Sequence, residues 1–456
     1  MKALRARFNA INPDHQRIFR GAARVALFLV LGKAAGAIKE MAVAYRYGVS
    51  DAVDAYQFTM TMASWMPVTI VGVLSVVLIP VLVRLRRADD AERVHFVREL
   101  QGIMAIGALA LGLLIWWVWP FVVDLLGGGL SATVQGMTDQ LLWAFAPVAG
   151  LMLIAGISSA RLRAHERHVN TLLDSVPAVS VLIFVMLATT TPGVGPLAWG
   201  TLVGYAVQTV WLAWLAARAD RGFWGAPVVA FRSPHWPMLV RAAGVMLIGQ
   251  FAMSFVGPLD QYAAANLGSN ANATLGYAAR LLSLLLGIGA VSVGRAALPV
   301  LADVQARGDG AQARVMALKW SIAMVGAGAV VVVIGWLLAP WGVRVLFERG
   351  AFTADDTIAV ASVLRWGLLQ LPFYFGVLIL VQLLASQNRY RIMAAIAVAN
   401  FLLKAVLNMV LAPRMGTAGI MLATSFMYAL SYVCYVVVAL KPAALVAANG
   451  QSKPGA

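Results

Sequence analysis

The chain has 456 residues, 61% of them hydrophobic and only 12% charged, with a formal net charge of +16. Soluble domains are about 25% charged and 45–50% apolar, so these figures exclude an ordinary soluble protein and indicate a polytopic membrane protein. The single cysteine, Cys434, excludes a disulfide framework and a cysteine metal site.

Apolar runs of about 20 residues suffice to cross a bilayer. Twelve such spans are expected, at approximately 21–45, 52–83, 102–123, 141–161, 171–190, 197–217, 238–258, 274–300, 320–342, 358–385, 392–412 and 417–440. The basic start, MKALRARF, leads into an uncleaved first helix rather than a signal peptide. The second run is long enough to tilt, extend into water or kink at Pro67 and Pro80. Lys and Arg alternate between loops: Arg84 to Arg98, Arg161 to Arg167, Arg218 to Arg232, Arg307 to Lys319 and Arg389 to Arg391 fall on one side, while 124–140 and 191–196 have none. The positive charge therefore reads as a topology signal, with both termini cytoplasmic.

The chain repeats itself. LIPVL at 78–82 resembles ALPVL at 297–301, an offset of 219 between Pro80 and Pro299. WPFVVDLLGGGLS resembles APWGVRVLFERGAFT with Pro120 and Pro340 offset by 220, and ARLRAHERH resembles LASQNRYR with Arg167 and Arg389 offset by 222. Six spans per unit return the chain to its starting side, so the expected fold is all-α, with two parallel six-helix repeats around a central cavity. The expected organisation is a basic N-terminus (1–20), an N-lobe (21–217), a basic linker (218–237), a C-lobe (238–440) and a tail (441–456).

The first run carries Lys33, Lys39, Glu40 and Arg46, and Asp51 and Asp54 follow. A charge near the bilayer centre costs roughly 2.5–3.5 kcal/mol, so each needs water, a partner charge or a charged ligand. Six residues at 100° each put Lys33 and Lys39 about 120° apart, so they share a direction only if the helix bends or unwinds near Gly32 or Gly36. Glu40 and Asp54 are expected to pair with Lys39 and Arg46. At the repeat offset Lys33 and Lys39 correspond to Ala252 and Pro258, so the cations belong to one half only. A structural reading, with Lys39 and Arg280 snorkelling to water from helix ends, stands beside a functional one. Lys404 lies mid-span between Asn400 and Asn408 at four-residue spacing, and Asp260 follows Pro258 in the seventh run. A lysine capped by asparagines is one reading, and a pair with Asp260 the other. Trp116, Trp117 and Trp119 read as an interfacial belt, and HERH at 165–168 as lipid-facing basic surface rather than a zinc motif. No Walker A sequence, Ser-His-Asp set or paired-carboxylate site is present, so no enzyme is indicated.

GAIKEMAVAYRYGVSDAVDAY resembles the first-helix motif of the MurJ/MviN family of lipid II flippases, roughly G-x-x-R-D-x-x-x-A-x-x-F-G followed by T-D-A-F. GYAARLLSLLLGIGAVSVGRAALPVL at 276–301 and LFERGAFTADDT at 346–357 resemble its eighth helix and its L-F-x-x-G-x-F-T loop. The resemblance covers about residues 20–440 and extends to the multidrug/oligosaccharidyl-lipid/polysaccharide exporter superfamily. It implies alternating access and a polyprenyl-pyrophosphate-linked saccharide carried across a bacterial inner membrane. It also implies that Lys33, Lys39 and Arg280 bind the pyrophosphate through charge-assisted hydrogen bonds, with Glu40, Arg46 and Asp54 in support. Some relatives bind sodium between the seventh, eleventh and twelfth helices, which makes Asp260, Asn400, Lys404 and Asn408 an ion site or a site where Lys404 acts as a built-in cation. Transport would then draw on the membrane potential or a monovalent cation, without a cofactor, alongside glycan-synthesis membrane proteins as partners. Lysines replace the family's first-helix arginines, losing the planar fork that grips phosphate. A second-helix arginine falls at Pro67, and the family's last two helices have no counterpart before the chain ends. Lipid II itself, an exopolysaccharide or O-antigen unit, a cation-coupled export of amphipathic compounds and a non-transporting scaffold are the readings these residues leave open.

Overall fold

The structure, a computed structural model, describes all residues except 1–12, 86–89, 166, 168, 189–192, 221–226, 288–309, 388 and 441–456. The basic N-terminus to residue 12, the middle of the linker, the ALPVL half of the first repeat match and the tail lie outside the described residues.

Every regular element among the described residues is an α-helix. The first half comprises α1 (Pro13–Tyr47), α2 (Asp51–Leu85), α3 (Asp90–Leu126), α4 (Ala132–Ala164), α5 (Asn170–Leu173), α6 (Val176–Leu187) and α7 (Gly195–Ala219). It continues into α8 (Trp236–Ser254), α9 (Val256–Ala265), α10 (271–287), α11 (Gly310–Phe347), α12 (Ala354–Leu368), α13 (Leu371–Ser386), α14 (Tyr390–Met415) and α15 (Thr417–Leu440). Among the described residues eight helices are long and apolar enough to cross a membrane, and a ninth span is the pair α12 and α13, bent by 40°. The other three expected spans are α1, with its charges, the broken pair α8 and α9, and α10, which is described to residue 287.

The breaks have local causes. Pro258 has no N–H to give the Ser254 carbonyl four residues back, so the seventh span breaks at Phe255. Pro372 does the same to Leu368, and beside this break the Gln370 side chain donates to the Gly367 carbonyl at 2.8 Å. Pro67 and Pro80, expected as kink points, lie inside a helix that α2 continues through. Gly48, at φ +58°, closes α1 in the left-handed conformation that glycine adopts without strain.

The chain divides into two compact units: residues 1–48, 55–125 and 132–247 form one, and 49–54, 126–131 and 248–456 form the other. In the first unit the C-terminal half of α2 (Leu78, Leu82, Leu85) packs with Phe96 and Leu100 of α3, Leu153 and Ile157 of α4, and Trp236. Segment 227–235 is pinned to α3 by the fully buried Glu99, which accepts the backbone N–H groups of Arg232 and Ser233 and, at 2.7 Å, the Trp236 indole N–H. In the second unit α11, α13, α14 and α15 share a core around Leu380, Leu383, Leu384 and Tyr435. Trp116 and Trp117 are exposed as the belt reading expects, but Trp119 is buried and belongs to the interior.

Helix packing relies on small residues where backbones meet. Gly200 and Gly204 of α7 form a G-x-x-x-G pair, and a Cβ there would lie 2.7 Å from Val181 Cα and 2.6 Å from Pro177 Cα of α6. The end of α4 is locked to the end of α7 by charge. Arg161 donates to Asp220 Oδ2 from Nη2 at 2.5 Å and from Nε at 3.0 Å, and His165 Nε2 lies 2.6 Å from Oδ1. His165 therefore faces a buried carboxylate and not lipid, correcting the reading of HERH, whose residues 166 and 168 lie outside the described set.

Burial pushes the Asp220 carboxyl up, but its hydrogen bond to His165 and the Arg161 charge outweigh this and hold it below its ordinary value. A carboxyl with a depressed folded pKa contributes stability above its unfolded value, and the contribution is lost as pH falls through the folded value. Asp220→Asn should lower stability at pH 7 by about 3–5 kcal/mol, since it strands a buried Arg161. It should also flatten the loss of thermal stability on acidification below about pH 4, read by unfolding in detergent across pH. Gly204→Val should push α6 from α7 and cost about 1–3 kcal/mol in the same assay.

Candidate functional site

In the first unit α1 is one uninterrupted helix through Gly32 and Gly36, so no unwinding turns its cations together. Lys33 is exposed and Lys39 is buried at 7% exposure, as a separation of about 120° on a straight helix requires. Lys39 Nζ lies 2.6 Å from Glu40 Oε1 and 5.7 Å from the centre of the Tyr56 ring. Neighbouring helix positions do not normally face each other. The long lysine stem bends back to meet the carboxylate, and burial makes the match necessary. Tyr56 is held in turn by Thr201 at 3.3 Å and an edge-on contact with Phe145.

Arg46 is placed differently from expectation. Its guanidinium donates to the Ala188 carbonyl at the end of α6, beside the Tyr47 hydroxyl, which donates to Gly193 O at 3.1 Å. The expected network therefore splits: Lys39 and Glu40 form a pair, while Arg46 and Asp54 do not.

Asp54 serves a helix instead, within the second unit. Its fully buried carboxylate accepts the backbone N–H of Ala273 at 2.6 Å and of Asn270 at 3.1 Å. These are orphan donors at the start of α10, where a negative charge also meets the positive end of the helix dipole. The separation of Asp54 from Ala273 is 219 residues, the repeat offset itself, so the carboxylate from the start of α2 caps the equivalent helix start in the second half. Asn270 takes the left-handed conformation at φ +68° to begin that turn. Arg280 is the tenth residue of α10 and is exposed.

The second cluster joins α9, α14 and α15 of the second unit. Lys404 is fully buried, and its Nζ lies 2.8 Å from Asp260 Oδ1, 2.7 Å from Ile420 O and 2.6 Å from Thr424 Oγ1. All three ammonium protons thus have an oxygen. Asn408 donates to Asp260 Oδ1 at 2.9 Å and does not cap the lysine, nor does the buried Asn400. No sequence signal singles out Ile420 and Thr424. They lie four residues apart on one helix face, and one of the two contacts is a backbone oxygen, which no residue type announces.

Among the described residues no cluster of three or more His, Cys, Asp or Glu side chains is arranged to hold a metal. The family model described as lipid II flippase MurJ matches residues 43–452. The Synechocystis sp. protein named Probable lipid II flippase MurJ is 26% identical over 423 residues, covering 88% of this chain and 77% of its own. A solved lipid II flippase MurJ in an inward closed conformation matches with a TM-score of 0.78 at 19% identity, covering 95% of this chain and 94% of that one. A multidrug resistance MATE family transporter of the MOP superfamily, inward-facing, matches at 0.72 and 14% identity over 93% and 96% of the two chains. The fold is thus the all-helical fold of these transporters.

Asp54→Ala should leave two buried donors at the start of α10 unmatched, at about 1–3 kcal/mol each, with Asp54→Asn intermediate. Thermal unfolding of the purified variants measures this.

Proposed function

The chain belongs to the lipid II flippase MurJ family, and from that premise we propose that it moves a polyprenyl-pyrophosphate-linked saccharide, lipid II-like, from the cytoplasmic to the outer leaflet. It is a multi-pass bacterial membrane protein and a transporter, not an enzyme. Alternating access in the inner membrane, with both termini cytoplasmic, completes the reading. No cofactor enters it, and glycan-synthesis membrane proteins are its natural neighbours.

The observation that supports the substrate class most directly is the exposure of two cations, Lys33 of α1 and Arg280 of α10. Exposed charge at such positions suits a ligand with several negative charges, and charge-assisted hydrogen bonds to phosphate oxygens are among the strongest available. Lys39 joins this set when a phosphate displaces Glu40 from its ammonium. Arg46 and Asp54 act at one remove, by fixing the end of α6 and the start of α10.

The experiment is rescue of growth in a bacterium depleted of its own lipid II flippase. Wild type should sustain growth, Lys33→Ala and Arg280→Ala should fail while reaching the membrane, and Lys33→Arg should retain function. Each lost charged hydrogen bond is worth about 1.5–3 kcal/mol, or roughly tenfold to a hundredfold in substrate affinity. Failure of a well-expressed wild type would remove lipid II and leave another polyprenyl-linked saccharide, such as an exopolysaccharide unit. Full rescue by both alanine variants would remove the pyrophosphate role and favour a scaffold.

A further inference from the structure

The family resemblance brings with it a sodium site among the seventh, eleventh and twelfth helices, and the residues at that place do not fit one. The oxygens that would hold a small cation, Asp260 Oδ1, Ile420 O and Thr424 Oγ1, already surround Lys404 Nζ at 2.6–2.8 Å. A second cation there would meet a like charge at contact distance in a fully buried place. We propose that Lys404 is a tethered cation: its ammonium permanently fills a monovalent-cation nest that ties α9, α14 and α15 together, so the protein needs no free metal ion at this point.

Three observations carry this beyond an ordinary buried ion pair. The ligand set is mixed, one carboxylate, one backbone carbonyl and one hydroxyl, which is the all-oxygen chemistry that hard cations take. Its members come from two helices other than that of the lysine, so the charge acts as a node. Two further carbonyl oxygens, Asn400 Oδ1 and Asn408 Oδ1, are buried without a hydrogen-bond partner among the described residues. With the ammonium removed, carbonyl, hydroxyl and carboxylate oxygens would remain together with a net negative charge. An ammonium is a compact point charge on a flexible stem, and here the stem supplies what a dissolved ion supplies by binding.

The break in the seventh span suits the same role. Pro258 interrupts the helix two residues before Asp260, and discontinuous helices are where membrane proteins place ion-binding groups.

The test uses the purified full chain and reads thermal stability, so it is independent of which lipid is carried. Wild type is measured in sodium, lithium, potassium and choline chloride at one ionic strength, beside Lys404→Ala and Lys404→Ala/Asp260→Asn. The expected result is an unchanged wild-type Tm in all four salts. Lys404→Ala should have a lowered Tm in choline that rises saturably with sodium or lithium, and the double variant should lose that rise. A saturable, sodium- or lithium-specific rise in wild type would overturn the proposal without any variant. A folded Lys404→Ala that responds to none of the metal ions would overturn it too. If Lys404→Ala yields folded protein only when a metal ion is supplied, the proposal stands.

Discussion

A charge carried into an apolar helix bundle must be matched where it sits, because no water is there to match it, and this constraint arranges much of the molecule. Several buried charges among the described residues have their partners in view. Lys39 meets Glu40, Arg161 meets Asp220, and Lys404 meets Asp260. Asp54 and Glu99 meet no cation as principal partner but accept backbone N–H groups at the starts of α10 and α8. Helix ends and buried charges solve each other's problem in these two cases, since each helix start has donors to place and each carboxylate has lone pairs to fill.

Each match also fixes topology. Asp220 ties the ends of α4 and α7, Glu99 holds the segment before α8 against α3, and Asp54 sets the start of the helix that carries Arg280. The Lys404 node gathers the broken seventh span and the last two helices around one ammonium. A buried pair of this kind adds little net stability over an apolar substitute, but removing one partner is costly, so such pairs act mainly to specify an arrangement. Lys33 and Arg280 differ from these buried charges in being exposed.

Much of the fold is legible in residue order alone. Hydropathy runs locate the eight helices among the described residues that are long and apolar enough to cross a membrane, because a bilayer demands about 20 apolar residues whatever their order. The repeat offset of 219 reappears as the distance between Asp54 and the helix start it caps. Prolines are less informative. Pro258 and Pro372 coincide with breaks and Pro67 and Pro80 do not, since a lost N–H can be absorbed within a helix when its neighbours hold it.

The sequence by itself determined that this chain is a helical membrane transporter of one family, that its first helix carries unusual cations, and that Lys404 and Asp260 are worth pairing. These follow from composition, period and motif, which are properties of residue order. Only the tertiary structure decided that Lys39 is neutralised by Glu40 while Lys33 stays exposed. It alone placed Arg46 on a carbonyl and Asp54 on backbone N–H groups, turned His165 inward, and gave Lys404 the oxygens of Ile420 and Thr424. The physical reason is that a buried charge takes the nearest available partner in space, and many of those partners are backbone atoms that every residue type carries alike.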